Sequence, residues 1–235
     1  MTRMPKTPLG KSLSRYLSQP NVNEQVTAYL APGRYSGAMF DRLADGRDPN
    51  RFTERDFLAV STLSVTVPPD VRNWLLTNKG AEYTFELLRE IPCGATIADD
   101  TDHLAKGTAA WELWYLLRTA HNMGGTTISK LMAVKRPHLM PIHDSVVSAA
   151  LKLRLRHSWS SWRDFMTKDW PDQSVSLKKA VSAAGGDHLT ALRVIDITVW
   201  MTAMSERSRP VVKPSKPLTP DRALLKPAHK RTAQS

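Results

Sequence analysis

The chain has 235 residues and a formal net charge of +11, a length that suits one large domain or two small ones. Its only cysteine, Cys93, excludes an internal disulfide, a cysteine-based zinc site and a cysteine-ligated iron–sulfur cluster, and it favours a reducing, cytoplasmic compartment. The sequence lacks the roughly 18–20 consecutive apolar residues of a membrane helix and the apolar core of a signal peptide, so no membrane partner is expected.

Helical periodicity runs through most of the sequence and predicts an all-α, compact multi-helix fold. The helices predicted in the first half are a short one within 36–44, one opened by a Thr53–Asp56 capping box, one opened by Pro68 and Pro69, one between Gly80 and Pro92, and one capped by Thr108. The last of these carries apolar residues on more than one face, which predicts a central buried helix. Further helices are predicted at about 126–135, 144–154, 160–168, 174–184 and 187–204. The one short strand candidate, Val65–Val67, is ended by two prolines.

The positive charge is concentrated at the two ends of the chain. Residues 1–20 carry four basic and no acidic side chains, and residues 205–235 carry eight basic and two acidic ones. We therefore predict a flexible basic N-terminal segment at 1–20, a folded domain at 21–205 and a disordered, proline-rich basic tail at 206–235. Within the predicted domain, residues 118–179 hold eleven basic and four acidic side chains. This positive block favours a polyanionic partner, although acidic surface elsewhere could balance it.

A tight joint between two helices lies inside this positive block. Asn122, Met123, Gly124 and Gly125 separate the predicted helices, and both Asn and Gly tolerate a left-handed backbone. The free amides at the start of the second helix, near Thr126 and Thr127, would form an anion site that fits a DNA phosphate. Lys130, Lys135 and Arg136 follow and would add positive field, and the alternative is an ordinary helical hairpin.

This stretch resembles the helix-hairpin-helix of the base-excision DNA glycosylase superfamily. Asn122-Met123-Gly124 stands where that motif has Gly-hydrophobic-Gly, and Thr127 matches its Thr position. In that superfamily a catalytic aspartate follows the second glycine by about twenty residues, after a proline-containing loop. Asp144 lies twenty residues after Gly124, and Pro141 precedes it. The resemblance implies an all-α glycosylase-like domain whose partner is nucleic acid, most simply duplex DNA.

The chain as a whole also resembles a group of actinobacterial proteins of uncharacterised function. The segments that carry this resemblance are Lys135-Arg136-Pro137, Asp144–Val147 and a late Arg193–Asp196 helix. It implies a single domain ending near residue 205 and supplies no activity.

The resemblance to glycosylases implies an N-glycosidic hydrolysis with Asp144 as its carboxylate. Such a carboxylate stabilises an oxocarbenium-like state or activates the water that captures it, and His143 could assist proton transfer. The position of the superfamily's nucleophilic lysine is occupied here by Thr126, so a monofunctional enzyme without a cofactor is expected. His121, His138 and His143 lack the spacing of a zinc site, so no metal is expected.

Three readings stay open from the sequence alone. The first is a DNA-binding protein related to monofunctional DNA glycosylases and active in DNA repair. The second is a non-catalytic helix-hairpin-helix domain that binds DNA or a protein, in which Asp144 is a plain helix cap. The third is a helical adaptor between proteins that has incidental basic ends.

Overall fold

The computed structural model describes residues 5–44, 48–99, 101–155, 158–170, 181–182 and 185–206. These residues contain eleven helices and no strand, so the predicted all-α class is confirmed and Val65–Val67 is not a strand. No helix in these ranges is long and apolar enough to cross a bilayer. The helices are α1 (Pro8–Leu17), α2 (Val22–Leu30), α3 (Ala38–Ala44), α4 (Glu54–Ser61), α5 (Pro69–Leu76), α6 (Asn78–Glu90), α7 (Ala109–Thr119), α8 (Gly125–Lys135), α9 (Ser145–Leu151), α10 (Ser158–Lys168) and α11 (Ala191–Glu206).

Polar side chains fix where several of these helices begin. Thr53 and Asp56 form the predicted capping box of α4, in which Asp56 Oδ2 accepts a hydrogen bond from the Thr53 backbone N–H at 2.7 Å. Thr108 Oγ1 accepts a bond from a first-turn amide of α7 at 3.3 Å, which confirms the predicted cap. Asp144 Oδ1 accepts one from a first-turn amide of α9 at 2.8 Å. Each cap satisfies an amide that has no carbonyl partner within its own helix.

Helix α8 is the central helix of the fold. Every residue from Gly125 to Lys135 except Thr126 is buried, and Ile128 and Leu131 have no exposed surface. The helix packs against α4 and α7. The main hydrophobic core therefore surrounds the helix that begins directly after the Asn122–Gly124 turn.

The prediction that α7 is a central buried helix is wrong, because the helix is buried on one side only. It buries Leu113 and Trp114 in the main core but leaves Tyr115 about half exposed, at 51%. Its many apolar residues cover more than one face because aromatic side chains also line a surface cleft described below.

Residues 1–20 are not a flexible segment in the part that the structure describes. Helix α1 packs against α9, α10 and α11, and Leu13 on it is fully buried. The Asp169 carboxylate accepts hydrogen bonds from the backbone N–H groups of Lys6 at 2.7 Å and Thr7 at 3.0 Å. The segment was predicted to be flexible because of its basic residues, but it forms an amphipathic helix whose apolar face packs into the core.

Two predicted boundaries also differ from the structure. Gly80 lies inside α6 rather than before it, because the helix continues from Asn78 past the Trp74 backbone. Helix α9 stops at Leu151, since Lys152 takes a left-handed backbone with φ of 54°. Most of the helix predicted at 174–184, and the tail from residue 207 onward, lie outside the described residues.

Helix α11 joins the N-terminal helices to the rest of the core. It packs against α1, α2 and α9. Val26 of α2 and Ile197 of α11 belong to a smaller hydrophobic cluster beside the main one. This contact brings the chain's first third next to the start of α9, where Asp144 lies.

Candidate active site

Asp144 carries a carboxylate that is held in place by two partners and remains partly open to solvent. Its Oδ1 caps α9, and its Oδ2 accepts a hydrogen bond from Lys130 Nζ at 3.1 Å. The Asp144 side chain is 19% exposed, whereas the Lys130 side chain is 3% exposed. Lys130 Nζ also donates to the Leu63 carbonyl at 2.8 Å. The carboxylate is therefore positioned by a buried cation and a backbone amide, with one side facing outward.

Asp144 opens onto a cleft of about 620 Å³, here called the Asp144 cleft. Its walls come from the segment after α2, the segment after α4, the starts of α8 and α9, and α11. Tyr35 and Trp200 form an aromatic wall, with their rings edge to face at a centroid distance of 5.7 Å. This volume lies within the range of about 300–1,000 Å³ that is usual for ligand pockets.

A buried polar network lines the same cleft. The Arg193 guanidinium donates to Asp41 Oδ2 at 3.0 Å, to Tyr29 Oη at 2.7 Å, to the Gly37 carbonyl at 3.1 Å and to Asp196 Oδ2 at 2.5 Å. Within the described residues, the second Asp196 oxygen is buried and accepts no hydrogen bond.

The carboxyl of Asp196 is shifted toward its neutral form. Burial raises the pKa of Asp196 to about 6, the Arg193 cation opposes that rise, and the nearby Asp144 carboxylate adds to it. Asp144 and Asp196 therefore differ in environment, because one is partly solvated and the other is withdrawn from water. Two carboxyl groups in contrasting environments within one cleft are a common feature of hydrolytic sites.

The predicted turn between α7 and α8 is present and lies beside this cleft. Asn122 has φ of 60°, the left-handed value expected of it, and Gly124 is exposed with open space around its Cα. The first intrahelical hydrogen bond of α8 runs from the Ile128 amide to the Gly124 carbonyl at 3.0 Å. Thr126, two residues earlier, lines the Asp144 cleft. The free end of α8 and the Asp144 carboxylate therefore border one cavity.

Three further residues of the predicted site are buried around this turn. Met123, Gly125 and Thr127 are buried and belong to the packing of the turn, with Met123 in the main core. Gly125 contacts Leu155 so closely that an added Cβ would lie 2.5 Å from it. Only Asn122, Gly124 and Thr126 present surface that a ligand could contact.

The expected role of Lys135 and Arg136 in phosphate binding is corrected by their burial. Lys135 Nζ lies 2.5 Å from Asp56 Oδ2, with both side chains almost fully withdrawn from solvent. Arg136 is 2% exposed and donates to two carbonyls at the C-terminal end of α6 and to the Pro49 carbonyl between α3 and α4. Both side chains stabilise the core, because each charge is satisfied by protein atoms. Lys130 is likewise buried, and its ammonium group contacts the Asp144 carboxylate rather than solvent.

His143 does not line the Asp144 cleft. Its ring Nδ1 lies 3.0 Å from Ser148 Oγ, and its backbone N–H donates to Ser129 Oγ at 2.9 Å. Burial lowers the pKa of His143, and the neighbouring Asp144 carboxylate opposes that shift. The histidine is therefore a neutral packing residue behind the carboxylate, and this geometry gives no support to a role in proton transfer.

The sequence reasoning missed most of the cleft wall. Tyr35, Trp200 and the Arg193–Asp196 pair come from segments far from Asp144 in the sequence and are brought together by the α2–α11 contact. The sequence offers one signal for this wall, since Arg193 and Asp196 are three residues apart on a predicted helix and such residues are neighbours on its surface. No group of three or more His, Cys, Asp or Glu side chains in the described ranges is placed to hold a metal ion.

An all-α domain with a carboxylate-bearing cleft beside a helix–helix turn is the class that the fold and site define. The chain belongs to a family of unknown function, DUF6308, whose model matches residues 13–203. The match begins within α1 and ends within α11, so it spans the described domain. No curated protein and no solved structure matches the chain.

Proposed function

We propose that this protein binds nucleic acid at the α7–α8 turn and hydrolyses an N-glycosidic bond in the Asp144 cleft. The observation that carries the proposal is the position of the Asp144 carboxylate, fixed at the edge of a 620 Å³ cleft that it shares with the start of α8. The resemblance of residues 110–150 to DNA glycosylases supports the same assignment. The proposal rests on that one carboxylate, its neighbours and the shape of the cavity.

In this mechanism Asp144 acts through its negative charge. Breaking the C1′–N bond leaves positive charge on the sugar ring, and a carboxylate close to that ring stabilises it. A water molecule then adds to C1′, its proton passes to the solvent or to Asp144, and the departing base takes up a proton. Lys130 and the α9 amide hold the carboxylate in one orientation, so little reorganisation is needed when charge develops.

The same geometry favours a monofunctional reaction. Lys130 is the lysine nearest to the carboxylate in the described residues, and its Nζ is buried and bonded to both Asp144 and the Leu63 carbonyl. A lysine nucleophile must be neutral and reach the sugar carbon. We therefore expect abasic sites as the product, without strand cleavage.

The test is the substitution Asp144→Asn in the full chain. Asparagine still caps α9 but carries no charge, so we expect abasic-site formation to fall by about 100-fold or more while DNA affinity is retained. The substrates are duplexes carrying uracil, hypoxanthine or an alkylated base. Asp70→Asn, at the exposed start of α5 and outside the cleft, is the matched control and should remain fully active.

The outcomes separate the proposal from the two other readings. Activity that survives Asp144→Asn removes Asp144 from the mechanism. Salt-sensitive DNA binding with no base release from any substrate indicates a non-catalytic binding domain. If the protein does not bind DNA, or if its DNA affinity does not change with salt concentration, the protein is an adaptor between proteins.

A further inference from the structure

A second cleft lies beside the same turn and shares no lining residue with the Asp144 cleft. It has a volume of about 520 Å³ and lies between α7, α10 and the segment from Thr96 to Lys106. Arg118 at the end of α7 borders it and donates to the Met123 carbonyl of the turn at 3.2 Å. We call it the aromatic–basic cleft.

Aromatic rings line this cleft from both flanking helices. On α7, Trp111 and Tyr115 are one turn apart, and their ring centroids are 4.2 Å apart. Tyr115 is 51% exposed, so its ring is accessible to a ligand in the cleft. On α10, Trp159 packs edge-on against Trp114 with a centroid distance of 5.0 Å. The cleft therefore offers flat apolar faces to a planar ligand.

A cation follows one aromatic side chain on each helix. Arg118 comes three residues after Tyr115 on α7, and Arg163 comes four residues after Trp159 on α10. Residues three and four apart lie on the same face of a helix. Arg163 is paired with Asp102 at 3.3 Å. Both helices therefore present a ring and then a positive charge to the same cavity.

The loop wall of the cleft contributes one exposed cation, Lys106, beside the carboxylate of Asp102. Lys106 is exposed, and no ion pair or hydrogen bond engages it among the described residues. His103 lies 3.3 Å from Asp99. The lining side chains Lys106, Arg118 and Arg163 outnumber the one lining carboxylate, Asp102. The cleft consequently favours a ligand that is planar and anionic.

We propose that the aromatic–basic cleft binds a single-stranded nucleic-acid segment, with bases stacked on Trp111 and Tyr115 and phosphates near Lys106 and Arg118. Aromatic platforms interleaved with cations are the usual means of binding single strands without sequence preference. A duplex does not fit this chemistry, because its base faces are covered by neighbouring bases. The inference shares its ligand class with the proposed function and is independent of Asp144 chemistry.

The first experiment compares Tyr115→Ala with Tyr83→Ala in the full chain. Tyr83 is also 51% exposed but lies on α6, outside both clefts. The probe is a fluorescent 12-nucleotide single strand of mixed sequence, with anisotropy as the readout. We expect Tyr115→Ala to weaken binding at least about fivefold, since base stacking on an aromatic side chain is lost. Tyr83→Ala should bind like the unmodified protein.

Two further variants separate stacking and charge from a loss of structure. Tyr115→Phe keeps the ring and should retain binding, and thermal melting should show that Tyr115→Ala remains folded. Lys106→Ala should weaken binding and reduce its salt dependence, whereas Lys79→Ala on α6 should do neither. The proposal is overturned if Tyr115→Ala and Tyr83→Ala weaken single-strand binding equally, or if neither substitution weakens it.

Comparing a single strand, the matched duplex and a mononucleotide as probes shows which ligand occupies the cleft. The unmodified protein should bind the single strand in a Tyr115-dependent way, while binding of the matched duplex should not depend on Tyr115. A mononucleotide that binds as tightly as the 12-nucleotide strand overturns the assignment of a strand. Asp144→Asn should leave single-strand binding unchanged. An unmodified protein that binds the single strand through Tyr115 but releases no base refutes the proposed function alone. One that releases base without Tyr115-dependent binding refutes this inference alone.

Discussion

Lys135 and Asp56 illustrate how charged residues of this chain serve its interior. Their side chains are 1% and 0% exposed, and Asp56 Oδ2 also accepts hydrogen bonds from Thr53. The pair therefore links the C-terminal end of α8 to the cap of α4. Such a pair contributes little net stability compared with apolar residues, but removal of one partner leaves a buried charge whose desolvation is no longer offset.

We expect Lys135→Met to lower the free energy of unfolding by about 3–5 kcal/mol. Methionine has a similar length, so the loss comes from the cation that Asp56 requires. Urea unfolding measures it, and Lys79→Met, an exposed position on α6, is the control, with an expected change within about 0.5 kcal/mol. An unfolding midpoint equal to that of the control would contradict this assignment of Lys135 to the core.

At the scale of the helices, the packing of α5 against α6 depends on a glycine in a helix interior. A Cβ on Gly80 would lie 2.2 Å from the Trp74 carbonyl oxygen and 2.6 Å from its indole ring. The backbone oxygen cannot rotate away as a side chain could. The close approach of the two helices at this point therefore requires glycine.

Gly80→Ala is expected to lower stability by about 1–3 kcal/mol, although alanine is intrinsically favoured over glycine in a helix by about 1 kcal/mol. Gly94→Ala is the matched control, since a Cβ there meets no atom within 4 Å. Thermal melting of both variants provides the measurement. A Gly80→Ala protein that melts above the unmodified one would show that helix propensity outweighs the contact with Trp74.

The sequence predicted where individual helices begin, but it did not predict which helix lies at the centre of the core. Caps such as Thr53 and Thr108 act locally, so their residue types predicted the starts of α4 and α7. The central position of α8 could not be predicted, because Lys130 and Lys135 read as surface residues. Their partners, Asp144 and Asp56, lie 14 and 79 residues away along the chain. The carboxylate of the site was found from its motif, while the cleft around it depends on long-range packing.

At the scale of the whole molecule, most of the net positive charge lies outside the domain that contains the two clefts. Residues 207–235 carry eight basic and one acidic side chain, whereas residues 21–204 carry 21 basic and 20 acidic ones. The family match ends at residue 203. Electrostatic attraction to nucleic acid is therefore expected to come largely from the C-terminal segment, and discrimination between ligands from the two clefts.

A protein ending at Glu206 should bind nucleic acid more weakly and with a smaller salt dependence. Each phosphate contact contributes a slope of about −0.9 in a plot of log affinity against log salt for duplex DNA, so the slope should become shallower by several units. The ratio of single-strand to duplex affinity should remain unchanged. An unaltered slope would locate the phosphate contacts in the folded domain instead.

The position of α11 also has a consequence for how the protein forms during synthesis. The Arg193 contacts with Tyr29, Gly37 and Asp41 join residues more than 150 positions apart. Tyr35 has no aromatic partner from α11 until Trp200 has been made. The ribosome must therefore release nearly the whole domain before the Asp144 cleft can close. The contacts that complete the cleft form only after these distant segments meet, so the cleft is among the last parts of the molecule to be completed.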